Sequence, residues 1–122
     1  MTCAFWVRTG SALMFLSVGL GAFAVHGLKE RLDAGMLAAF ETGVRYQTYH
    51  ALALFLVAWL ISRGPSRAVQ WAGLCFLAGI TLFSGSLYLL SLSGVRRFGI
   101  ITPIGGLLFL AGWAILALTA AP

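Results

Sequence analysis

The stretch AVQWAGLCFLAGITLFSGSLYLLSLSGV, Ala68 to Val95, runs for 28 residues without a charge. A helix needs about 20 mostly apolar residues to cross the roughly 30 Å hydrocarbon core of a bilayer. This run is long enough to span, and it decides the class of the protein: the solvent around the chain is lipid. Composition agrees, since 61% of the 122 residues are hydrophobic and 9% charged, against roughly 25% charged in soluble domains.

Three more uncharged runs flank it: Thr9 to Leu28, Tyr46 to Ser62, and Phe98 to the C-terminus. Each can hold one span. The expected fold is therefore an all-α membrane protein, a four-transmembrane-helix bundle forming a single domain over residues 1–122, with spans near 9–26, 46–61, 69–90 and 103–118. Arg8, the apolar run after it and Ala22-Phe23-Ala24 also imitate a secretory signal with an A-x-A cleavage site. That segment is read as a retained first helix.

Successive spans alternate direction, so both termini and the Ser62–Arg67 loop share one face, side A, and the other two connections lie on side B. Side A carries Arg8, Arg63 and Arg67, and side B carries Lys29, Arg31, Arg45, Arg96 and Arg97. Basic residues favour the cytoplasmic face, which makes side B the expected cytoplasm. The small bias leaves dual insertion open. The net charge of +5 is spread over span ends and loops, where membrane anchors belong, so membrane lipids and not nucleic acid are the expected partners. Cys3 and Cys75 have neither the spacing of a metal site nor a shared level in the membrane. No metal and no cofactor is expected.

In the first span Gly10, Ser17, Gly21 and Ala24 share a helical face, and small residues let helix backbones approach closely in lipid. Between the first two spans Leu28, Leu32, Met36, Phe40 and Val44 recur every fourth residue, with Glu30, Arg31, Glu41 and Arg45 opposite. That pattern predicts an interfacial amphipathic segment, which either runs straight into the second span or is set off from it by the bend that Gly35 and Gly43 favour. Glu41 and Arg45 are spaced to pair along the helix.

The second span opens with its polar groups. Glu41, Arg45, Tyr46, Tyr49 and His50 fall on one half of the helical wheel, and everything after His50 is apolar. Imidazole both donates and accepts, and intramembrane ionisable groups are functional candidates by default. His50 is equally suited to tying two helices together, and both readings stay open. In the third span Thr81, Ser84, Tyr88 and Ser91, at spacings of three, four and three, form one hydroxyl stripe. Ser86 points elsewhere and is expected to bond back to Leu82. The fourth span begins with Thr102 as an expected N-cap and Pro103 at the first helical position. Gly105 and Gly112 offer another close-packing edge.

Combined with the topology, these positions bring His26, His50, Tyr88, Ser91 and Thr102 toward side B. A through-pore needs a lining along its whole length. The pattern instead suggests a polar vestibule open to one face, or a hydrogen-bonded knot beneath the headgroups.

Four stretches, GAFAVHGL (Gly21–Leu28), YQTYHALAL (Tyr46–Leu54), LFSGSLYLL (Leu82–Leu90) and ITPIGGLLFLAGW (Ile101–Trp113), appear in the order found in a known family. The chain resembles the bacterial membrane proteins called domain of unknown function 423, or YgdD-like, which have a eukaryotic transmembrane relative. Ala24 and Val25 depart from the family's usual GAFGAHGL. The resemblance implies a four-helix protein of the bacterial cytoplasmic (inner) membrane and carries no reaction, substrate or catalytic residue.

Three functions follow as expectations. The first is a structural or accessory helix-packing protein, partnered by a second copy or another membrane protein. The second is a small proton, ion or solute transporter or channel. The third is a lipid- or quinone-binding module, or an enzyme, using the side B vestibule. No nucleophile, base and orienting group can be assembled from the residues, so no catalytic residue is assigned.

Overall fold

In the computed structural model, which describes residues 1–119, the first three α-helices start where a short polar side chain satisfies a free backbone N–H group. Helix α1, Cys3–Phe23, is capped by Thr2, whose hydroxyl accepts from the Phe5 N–H at 3.1 Å. It continues without a break through a wide π turn, Ala24–Leu28. Asp33 caps α2, Ala34–Ser62, by accepting from the Met36 N–H at 2.8 Å. Ser66 caps α3, Arg67–Gly79.

A second π turn, Ile80–Ser84, joins α3 to α4, Gly85–Ser93, so 67–93 is one continuous rod. Gly94 ends it in the left-handed conformation at φ 72°, with its N–H on the Leu90 carbonyl at 2.9 Å; glycine reaches that geometry without steric cost. A 3-10 turn, Arg96–Ile100, then leads into α5, Thr102–Thr119.

Three of these rods are long and apolar enough to cross a membrane: Cys3–Leu28, Arg67–Ser93 and Arg96–Thr119. Helix α2 falls outside that set. Its run Arg45-Tyr46-Gln47-Thr48-Tyr49-His50 interrupts the apolar stretch.

Of the two alternatives for α2, the unbroken helix is the one found: it runs on past Gly35 and Gly43, and Ala34–Ser62 is one helix of 29 residues. Gly43 serves packing instead: a Cβ there would come within 2.8 Å of the Tyr88 ring. Phe40, three residues before it, is fully buried with Ala24 and Leu28.

Helix α2 packs on α1 along one side and on the α3–α4 rod along another, while α5 packs on α3 and its π turn. The main core joins Trp6, Leu54, Val57, Val69, Phe76 and Phe109. Glycines seat its rings. Gly73 lies under Trp6, where a Cβ would meet the indole at 2.5 Å, and Gly112 lies under Phe76 at 2.6 Å. In lipid such close packing replaces the hydrophobic force that is missing between apolar surfaces. Gln70 adds a polar clasp, accepting from the Trp6 indole N–H at 2.9 Å and donating to the Met1 carbonyl at 2.5 Å.

Candidate functional site

The polar side chains of the spans gather into separate ties, each between two or three helices. At the end of the π turn between α3 and α4, Ser84 is fully buried and donates to the Gly43 carbonyl of α2 at 2.6 Å. One turn on, the Tyr88 hydroxyl donates to Gln47 Oε1 at 2.6 Å, and Gln47 Nε2 donates to the Leu13 carbonyl of α1 at 2.9 Å. Three helices are thereby pinned through one amide. Gln47 was not among the sequence candidates. Its signal was an uncharged amide inside an apolar span, at the spacing of Phe40, Gly43, His50 and Leu54, all buried on α2.

The hydroxyl stripe is only partly as expected. Thr81 is exposed and donates to its own Leu77 carbonyl at 3.0 Å, and Ser91 is buried but bonds back to the Tyr88 carbonyl at 3.2 Å. A π turn uses more residues per turn than an α turn, so Thr81, inside it, loses phase with Ser84 and Tyr88. Ser86 is corrected too. It is 3% exposed, donates to the Phe83 carbonyl rather than to Leu82, and lies 2.6 Å from the Thr102 hydroxyl of α5. Thr102 is consequently not an N-cap: it is the first residue of α5, and its hydroxyl is engaged with Ser86.

His50 makes a different tie. It is 4% exposed, stacked on Phe109 with ring centroids 3.6 Å apart and planes 8° from parallel. Its Nδ1 lies 2.8 Å from the Tyr46 carbonyl, which can only accept, so Nδ1 carries the proton. Its Nε2 then accepts the Trp113 indole N–H at 3.0 Å. One donor and one acceptor are both used, which is the neutral imidazole. Trp113 and Phe109 of α5 were likewise not among the sequence candidates, because nothing in α5 marks which of its rings faces α2.

His50 is the seventeenth residue of α2, and its ring is 5.5 Å from that of Phe76 on α3. The uncharged run begins at Tyr46, but the helix begins at Ala34.

The other candidates scatter. His26 is exposed in the π turn that ends α1, Glu41 is half-buried, and Arg45, Tyr46 and Tyr49 are exposed. No ion pair within 4.0 Å joins Glu41 to Arg45 among the described residues. Among the packing residues, Gly10 lies tight on α2, where a Cβ would be 3.1 Å from the Ala51 carbonyl oxygen, and Gly105 is held against the Phe83 backbone, 2.7 Å from its Cα. Gly21 is not tight: a Cβ there would meet Val44 at 3.6 Å. Ala24 is buried, and Ser17 is buried with its hydroxyl unpartnered.

A groove of about 810 Å³ opens between α2 and α5 beside the His50–Trp113 tie, lined by Tyr46, Tyr49, His50, Phe83, Phe109 and Trp113 among others. Neither His26 nor Tyr88 is in its lining. The structure does not bring His26, His50 and Tyr88 to one cavity.

The family model described as "Protein of unknown function (DUF423)" matches residues 20–106, the segment that contains both π turns and the Ser84–Gly43, Tyr88–Gln47 and Ser86–Thr102 ties. The chain belongs to this family. It is 46% identical over 114 residues to a UPF0382 membrane protein of Staphylococcus haemolyticus, covering 93% of each chain. It is 44% identical over 116 residues to the UPF0382 membrane protein YwdK of Bacillus subtilis, covering 94% of each. The UPF0382 inner membrane protein YgdD of Escherichia coli K12 is 39% identical over 116 residues, 95% of this chain and 88% of that one. No solved structure matches significantly. This DUF423 member is thus a membrane protein, with the cytoplasmic (inner) membrane as its location, and the matched relatives carry no named reaction.

Proposed function

We propose that the chain is a structural or accessory protein of the inner membrane that works by helix packing, against another membrane protein or a second copy of itself. The observation that carries this is how the intramembrane polar groups are used. Gln47, Ser84, Ser86, Tyr88 and His50 each spend hydrogen bonds on joining one helix of the chain to another. A conducting path needs polar groups facing water along its length, and these are already engaged.

The same proposal includes α2 as a fourth span. Beyond His50 the exposed face of α2 is Leu52, Leu56 and Trp59, a surface suited to lipid. Arg63 lies over the Trp59 ring at 5.2 Å, an arrangement typical of residues anchored at the headgroups. At about 1.5 Å per residue, α2 is roughly 44 Å long, some 14 Å more than the hydrocarbon core. Its first turns, with the amphipathic pattern from Ala34 to Val44, occupy the side B interface.

Single cysteines at Ala38 and Ser62, with Cys3 and Cys75 replaced by alanine, should react with a membrane-impermeant thiol reagent from opposite faces. Reaction from one face alone removes the fourth span. In proteoliposomes, His50→Ala should leave ion and proton flux unchanged. Loss of a specific flux in that variant would replace packing with transport.

A further inference from the structure

The groove between α2 and α5 has two features that the ties do not explain: an aromatic and leucine-rich wall, and, one turn along α2 from Tyr49, a cation with no ion pair within 4.0 Å among the described residues. Close docking of another helix needs a stripe of small residues, and Gly106 is the one glycine in a lining otherwise made of Pro103, Leu107, Leu110 and the rings named above. Such a wall suits a flexible hydrocarbon chain, and about 810 Å³ falls in the roughly 300–1,000 Å³ range of ligand pockets.

Arg45 stands one turn from Tyr49 toward the start of α2, is exposed, and has no ion pair with Glu41. Long side chains on a helix lean toward its N-terminus, which for α2 is side B. By that rule the Arg45 side chain extends toward the side B headgroups, while the Tyr46 ring packs on Phe83 at 4.7 Å. The turn that leads into α5 carries the exposed Arg96 and Arg97, but Arg96 lines a separate pocket with Asp33. The cation the apolar groove can use is Arg45, one turn from Tyr49.

We infer that this groove binds a membrane phospholipid with a net negative headgroup, one acyl chain lying along Phe83, Leu107 and Trp113 and the phosphate diester meeting Arg45. A guanidinium can give phosphate two parallel hydrogen bonds, and the adjacent phenols can donate to the ester oxygens. The inference rests on α2 crossing the bilayer, which the cysteine-accessibility experiment tests separately from lipid retention.

The test is native mass spectrometry of the full chain in mild detergent, titrated with phosphatidylglycerol and, in parallel, with phosphatidylcholine. Phosphatidylglycerol should be retained preferentially. Arg45→Gln should lower its retention about fivefold, the equivalent of about 1 kcal/mol for one basic residue at the membrane surface, with phosphatidylcholine unchanged and Arg45→Lys largely restoring it. Gly106→Leu should block both lipids, because a Cβ there meets Phe83 only at 3.8 Å and the longer side chain enters the groove without shifting the backbone. Equal retention of the two lipids, indifference to Arg45→Gln, or a dimer whose copies cross-link through cysteines placed at Leu107 would each overturn the inference.

Discussion

Trp113 and His50, on α5 and α2, face each other with the indole N–H donating to Nε2 at 3.0 Å, while Nδ1 on the far side of the ring is held 2.8 Å from the Tyr46 carbonyl. The two helices meet chiefly through His50, Trp113 and Phe109, whose ring lies 3.6 Å from the imidazole. The tie therefore joins α5 to α2, while α5 packs mainly on α3 and its π turn.

Removing either partner should loosen α5. A double-mutant cycle with His50→Phe and Trp113→Phe, read as unfolding free energy in detergent, should give a coupling near the roughly 0.6 kcal/mol average and below the roughly 1.7 kcal/mol maximum for hydrogen bonds in membrane proteins. A coupling of zero would mean the bond contributes nothing to stability.

Gly105 and Gly21 should differ sharply, although both lie on small-residue faces. Gly105→Ala forces a methyl against the Phe83 backbone and should cost about 1–3 kcal/mol, as overpacking does. Gly21→Ala meets Val44 at 3.6 Å and should stay within about 0.5 kcal/mol. Thermal unfolding of the two variants checks this ordering.

Tyr88→Phe strands the buried Gln47 Oε1 and should cost about 1–3 kcal/mol, the penalty of an unsatisfied polar group. Adding Gln47→Leu removes the stranded group as well. The double variant should therefore be no less stable than Tyr88→Phe alone, and a purely additive loss in chemical denaturation would contradict the Tyr88–Gln47 bond.

Ser86→Ala should destabilise the contact between α4 and α5, whereas Thr81→Ala, at an exposed residue bonded within its own helix, should be neutral within about 0.5 kcal/mol. Hydrogen exchange of the first turn of α5 reads this directly: faster exchange is expected in Ser86→Ala and unchanged exchange in Thr81→Ala. Equal protection in both would remove the Ser86–Thr102 tie.

Several of these contacts could be anticipated in part. The periodicity of Ser84, Tyr88 and Ser91 pointed at one face of the third span, and Ser84 and Tyr88 do meet α2. The same periodicity misplaced Thr81, because it assumed about 100° per residue through Ile80–Ser84, where the backbone forms a π turn. The polar half of the α2 wheel grouped Tyr46, Tyr49 and His50, which line one groove. It left out Gln47, which faces α1 and α4, since a wheel shows which residues share a side but not which neighbour each side meets.

What the sequence determined by itself was the solvent and the helical class. An uncharged run of 28 residues must satisfy its backbone hydrogen bonds internally once it is in lipid, and this holds whatever surrounds it. Which polar group meets which was decided only by the tertiary structure. Two π turns re-phase the rods they interrupt, and a cap at Asp33 starts α2 three turns before its apolar stretch. Tyr88 thus meets Gln47, and His50 is set against Trp113, a pairing that depends on the offset of two helices far apart in the chain.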